Sequence, residues 1–104
     1  MLFHIKMTHT PDNCPAYWPL DEQKKFLAES EKMQEVAKEK NVNIHFMVAG
    51  VGHTMYALIE ADSFTAINSF FGGMQLKQDF QVEPVDNVQD VIAAFKAEMA
   101  KQPR

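Results

Sequence analysis

The 104-residue chain carries ten Lys and Arg against fourteen Asp and Glu, a formal net charge of −4, so it has no basic footprint for nucleic acid or an anionic membrane. That length suits one domain spanning 1–104, which at this size buries roughly two-thirds of the surface its unfolded chain exposes. With 46% hydrophobic and 23% charged residues, disorder and low complexity are excluded.

Leu2 to Thr8 alternates: Phe3, Ile5 and Met7 are apolar and His4, Lys6 and Thr8 polar, which predicts a strand with one buried face. His9 to Pro19 (HTPDNCPAYWP) holds three prolines and is irregular. Leu20 to Lys40 reads as one long helix, with Asp21 and Glu22 at its positive end and Lys38 and Lys40 at the other. Phe26, Met33 and Val36/Ala37 give it a narrow apolar stripe. Asn41 breaks the pattern, and Val42 to Ala49 is a second strand, Ile44, Phe46 and Val48 alternating with Asn43, His45 and Met47. Gly50-Val51-Gly52 makes the turn into a third strand, Thr54 to Glu60. Asp62 or Ser63 caps a short helix, Phe64 to Phe71, which Gly72-Gly73 ends. Asp79 to Val85 is a fourth strand, and its Pro84 favours a sheet edge. Asn87 to Lys101 is a last helix with Val88, Val91, Ile92, Phe95 and Met99 on one side.

The order β-α-β-β-α-β plus a C-terminal helix predicts an α+β, ferredoxin-like fold, a four-stranded antiparallel sheet with both crossover helices on one face. Alternation assigns Phe3, Ile5, Met7, Ile44, Phe46, Val48, Met55, Ala57, Ile59, Phe80 and Val82 to the helix side. It leaves His4, Lys6, His45, Met47, Tyr56, Leu58, Glu60, Gln81 and Glu83 on the other. That mixture of large apolar groups with a few polar ones is the composition of a site lining. Two such faces packed in a homodimer, or within a higher homo-oligomer, enclose a cavity, with Met47, Tyr56 and Leu58 at the interface.

The single cysteine, Cys14, cannot make an internal disulfide, the start of the chain has no signal architecture, and no apolar run approaches the ~18 to 20 residues that span a bilayer. The chain reads as soluble and cytoplasmic.

The arrangement, with the opening Met1-Leu2-Phe3-His4-Ile5-Lys6-Met7, resembles the dimeric α+β barrel superfamily, and the heptapeptide in particular resembles the muconolactone isomerases, small enzymes that shift a double bond within a lactone. Val48-Ala49-Gly50, Ala57-Leu58-Ile59-Glu60-Ala61-Asp62-Ser63 and Phe80-Gln81-Val82-Glu83-Pro84-Val85 are similar to a family of small bacterial and archaeal proteins of unassigned function. The resemblance implies a dimeric barrel and places His4 at the floor of its site. The fold also hosts cofactor-free monooxygenases, haem-binding proteins and stress-responsive barrels, so it constrains chemistry weakly.

His4 and His45 are candidate proton shuttles, with Lys6 able to stabilise an enolate or carboxylate; Lys6 and Glu83 can equally form a structural ion pair. Tyr56, Glu83, Met47, Leu58 and Trp18 are candidate ligand contacts. Tyr17 and Trp18, between two prolines, either form an aromatic lid or leave Trp18 to pack on the first helix or on the partner subunit. Cys14 can form a thiolate–imidazolium pair with His9, or join His9 and His45 in a site for Zn or Cu(I), or be an ordinary half-buried thiol. Taking the first and third strands as parallel gathers His9, Cys14, His45 and Glu60 at one end of the sheet and leaves His53 at the other. No Walker loop, GxSxG, GxGxxG or zinc-ribbon spacing is present. Three functions follow: a barrel that binds a small apolar or aromatic ligand without a cofactor, isomerising or oxidising it if it is an enzyme; a transition-metal or haem protein; or a non-catalytic oligomeric structural protein.

Overall fold

The computed structural model describes residues 1–103. Alternation becomes strand β1 (Leu2–Thr8), in which Phe3, Ile5 and Met7 are buried and their neighbours half-buried. The proline-rich segment folds into two single 3₁₀ turns, Pro11–Asn13 and Pro15–Tyr17, each opened by its proline, where the missing N–H costs nothing.

The stretch expected as one helix is two, α1 (Leu20–Glu31) and α2 (Met33–Glu39), with Lys32 at φ −96°, ψ 2° between them. No Gly or Pro breaks it. Ser30 Oγ donates to the Phe26 carbonyl at 2.9 Å, a back-bond that bends helices. The Glu29 carboxylate meanwhile accepts the Gln75 backbone N–H. The bend lets α2 bury Ala37 and press Met33 and Val36 on the core, while Phe26 of α1 packs edge-to-face on Trp18. Asn41, at φ 57°, ends α2 in the left-handed conformation that Asn tolerates.

Strands β2 (Asn43–Ala49) and β3 (Thr54–Glu60) form the hairpin; α3 (Phe64–Gly72), β4 (Asp79–Val85) and α4 (Val88–Ala100) follow. Ser63 caps α3, its Oγ accepting the Ala66 N–H at 3.2 Å. Ser63→Ala should lower stability by about 1 kcal/mol, read as a fall in the urea midpoint at unchanged slope, and Ser63→Asp should restore it.

The sheet order is β2-β3-β1-β4, with every neighbouring pair antiparallel. The expected parallel course of β1 and β3 is therefore corrected. The helical crossover makes β1 and β2 parallel, but the hairpin reverses β3, which inserts between them. Helices α2 and α3 cover one face, where Ala37, Ile67, Phe70 and Phe71 pack on Phe3, Ile5, Met7, Ala57 and Ile59. This is the α+β, ferredoxin-like fold, with Pro84 on an edge strand as expected.

A bulge in β2 changes the open face. Ile44 pairs with Ile59, but after a slip Phe46 opposes Leu58, Met47 opposes Ala57 and Val48 opposes Tyr56. One extra residue inverts the alternation beyond it. Met47, expected on the open face, packs against the core; Phe46 and Val48, expected on the helix side, stand on the open face, 42% and 51% exposed.

Every residue of α4 is exposed, including Val91, Ile92, Phe95 and Met99. The helix extends a body measuring 69 × 30 × 18 Å, and the radius of gyration is 17.8 Å against about 13 Å for a compact chain of this length. Among the described residues, no helix is long and apolar enough to cross a membrane.

Candidate functional site

The open face is built in rows across the four strands. One row runs Phe46, Leu58, His4, Glu83, and the next Val48, Tyr56, Lys6, Gln81. The strand order divides these rows chemically. The β2–β3 half presents Phe46, Val48, Leu58 and Tyr56; the β1–β4 half presents His4, Lys6, Gln81 and Glu83. His4 sits on the boundary, its ring centroid 6.1 Å from that of Tyr56. The face thus offers an apolar bed beside a polar strip carrying one cation, one carboxylate and one imidazole.

The register seats Glu83 opposite His4, not opposite Lys6, whose partner is Gln81. Among the described residues no ion pair joins Lys6 and Glu83. His45, in the bulge, lies at the margin, where its Nε2 is 3.0 Å from Glu60 Oε1 with both side chains about half exposed. An open hollow of about 380 Å³ adjoins this pair, bounded also by Leu2, Leu58, Val85 and the start of α4. Trp18 is not a lid. Its indole N–H donates to the Asn13 carbonyl at 3.1 Å and its ring packs on Phe26, which leaves Tyr17 exposed alone.

The histidine expected with His9 and Cys14 is replaced by another. Because β3 runs antiparallel to β1, the start of β3 lies beside the end of β1, and Thr8 pairs with Thr54. His53 therefore meets His9: the His9 N–H donates to the His53 carbonyl at 3.2 Å, and His53 Nδ1 lies 3.3 Å from His9 Nε2. Cys14 completes a half-buried trio in which one donor atom from each residue lies within 4.8 Å of the others. His45 and Glu60 are at the opposite end, about 20 Å away along a seven-residue strand.

Local chemistry fixes each member of the trio. Cys14 is held between the two 3₁₀ turns, its N–H on the Pro11 carbonyl and its carbonyl taking the Tyr17 N–H. Asn13 ties the loop across to the Lys77 carbonyl at 2.7 Å. His53 follows Gly52, both in the left-handed region at φ 60° and 77°. Glycine adopts that region freely, whereas for a histidine it costs about 1 to 2 kcal/mol, and such strain concentrates at functional sites. Phe46, Val48 and His53 are the site residues that the alternation of the sequence alone does not locate. An all-antiparallel topology would have found His53.

Among solved structures, muconolactone isomerase is similar to this chain with a TM-score of 0.61 and 19% identity, over 84% of this chain and 90% of that one, a likeness that shows the fold. No curated protein matches in sequence. A family model described as a domain of unknown function, DUF3303, matches residues 1–99, and the chain belongs to that family.

Proposed function

We propose that a second copy of the chain closes the open face, and that the chamber so formed binds a small ligand with a flat apolar body and a carbonyl or carboxylate end. The observation that carries this reading is the division of the face. Phe46, Val48, Leu58 and Tyr56 make a bed for the apolar body, and Lys6 beside His4 meets the oxygen end.

Assembly is supported by α4. A lone helix of 13 residues is marginal in water, and this one buries none of its residues on its own body. At about 20 Å it is long enough to span a four-stranded sheet, about 15 Å between outer strands. Isologous pairing satisfies both the open face and the exposed helix stripe.

On a carbonyl ligand the chemistry is a proton shift. On a β,γ-unsaturated carbonyl, His4 takes a proton from the α-carbon, Lys6 stabilises the dienolate oxygen, and His4 returns the proton at the γ-carbon as the double bond moves into conjugation. The shift conserves electrons and calls for no cofactor. The reading places the protein in the cytoplasm, where the free Cys14 thiol stays reduced.

Calorimetric titration with benzoate and its hydroxylated analogues tests the reading. Saturable binding should weaken about tenfold or more in Lys6→Met, as loss of a charge-assisted hydrogen bond requires. His4→Gln should keep binding within a few-fold but end exchange of solvent deuterium into a carbonyl ligand. Absence of binding, or binding unchanged in Lys6→Met, would contradict it.

A further inference from the structure

We propose that His9, Cys14 and His53 bind one thiophilic transition-metal ion per chain, Zn(II) or Cu(I). The site is independent of the open face and lies wholly within one subunit.

Three segments distant in sequence deliver the donors: the end of β1, the loop between the two 3₁₀ turns, and the tip of the β2–β3 hairpin. Two imidazoles and a thiolate are the donor set that suits these borderline-to-soft ions. A tetrahedral centre with ordinary zinc–nitrogen and zinc–sulfur bonds holds its donor atoms about 3.3 to 3.6 Å apart. His53 Nδ1 and His9 Nε2 are already 3.3 Å apart. Cys14 Sγ lies within 4.8 Å of one ring nitrogen of each histidine, so it has to close by at most about 1.2 Å to reach the nitrogen–sulfur spacing.

The surroundings suit a metal-bound His9. Its Nδ1 is buried with no hydrogen-bond partner, and so is Gln78 Oε1; the two residues line one hollow. Ligation through Nε2 places the ring proton on Nδ1, and metal-bound histidines regularly donate that proton to a neighbouring acceptor. Gln78 Oε1, in the same hollow and equally without a partner, is an acceptor that a side-chain turn would bring to it. All three ligands are half-buried, which leaves a fourth position open to water or a small anion. Binding at the thiol releases its proton.

The test uses the full chain without a histidine tag. Titration with Co(II) as a stand-in for Zn(II), and with Cu(I) against a chromophoric chelator, should each reach one ion per chain. Co(II) should show a thiolate charge-transfer band, with one proton released per ion. Cys14→Ser should abolish that band, and His53→Gln, in the half-buried β2–β3 turn, should weaken uptake at least tenfold, as much as loss of an outer-shell partner alone costs. His45→Gln, at the far end of the sheet, should leave uptake unchanged. Circular dichroism separates lost ligation from lost folding, and His53→Gln carries the test should Cys14→Ser unfold. Failure of the native chain to take up either ion, or undiminished uptake in both ligand variants, would overturn the proposal. So would equal loss in His45→Gln, which would point to adventitious surface binding.

Discussion

Leu58→Asp combined with Phe46→Asp should abolish the proposed assembly and leave single subunits of 11.9 kDa. The two residues oppose each other across β2 and β3 in the centre of the apolar half, and an isologous interface places each substitution there twice. Four carboxylates would then face an apolar patch with no partner, at a cost of about 4 kcal/mol or more, which raises the dimer dissociation constant about a thousandfold. Both side chains point away from the helices, so circular dichroism should show a folded chain. Sedimentation velocity reads the outcome. A double variant that stays assembled would show that the face is not the interface.

Phe70→Ala should have the largest effect on folding itself. Phe70 is 1% exposed and among the largest fully buried side chains, packed edge-to-face on Phe71 with ring centroids 4.9 Å apart. Removing such a ring costs about 3 to 5 kcal/mol, the transfer term plus the cavity left behind. Domains hold only about 5 to 15 kcal/mol in total, so the urea midpoint should fall by a large fraction of its value. Phe95→Ala provides the contrast. That ring is 66% exposed, so its removal should change stability only through assembly and make the apparent midpoint less dependent on protein concentration. Equal losses from both variants at every concentration would show that α4 is folded onto its own body.

The sequence carried element types well and their relative placement less well. Period-two alternation located β1 and its buried triad because one face of β1 is covered by helices and no irregularity interrupts it. Ser63 and Gly72-Gly73 marked α3 because capping chemistry is local. The bulge was invisible for a physical reason. In Ile44-His45-Phe46-Met47-Val48 every second residue after Ile44 is apolar, but Met47 is apolar too, so both phases bury something acceptable and only the packing against α2 and α3 chooses. The break at Lys32 left no glycine or proline because it comes from a serine back-bond and a distant glutamate contact. The two histidine assignments turned on strand direction alone. With β3 antiparallel to β1, His53 joins His9 and Cys14, while His45 joins Glu60.

The polar half of the face was legible from the start, since His4, Lys6, Gln81 and Glu83 lie on strands without bulges. Its apolar half was named with the right character and partly the wrong residues: Tyr56 and Leu58 stand there, but Phe46 and Val48 take the place of Met47. The exchange widens the apolar bed by an aromatic ring, and the proposed ligand is correspondingly flat. Trp18 holds the loop beside Cys14 to α1 through Asn13 and Phe26.

Sedimentation equilibrium of the unmodified chain at micromolar concentration tests the central claim most directly. The mass should be a whole multiple of 11.9 kDa, with two copies as the smallest species. A single subunit at every concentration would contradict it, for the apolar bed and the stripe of α4 would then both lie open to water.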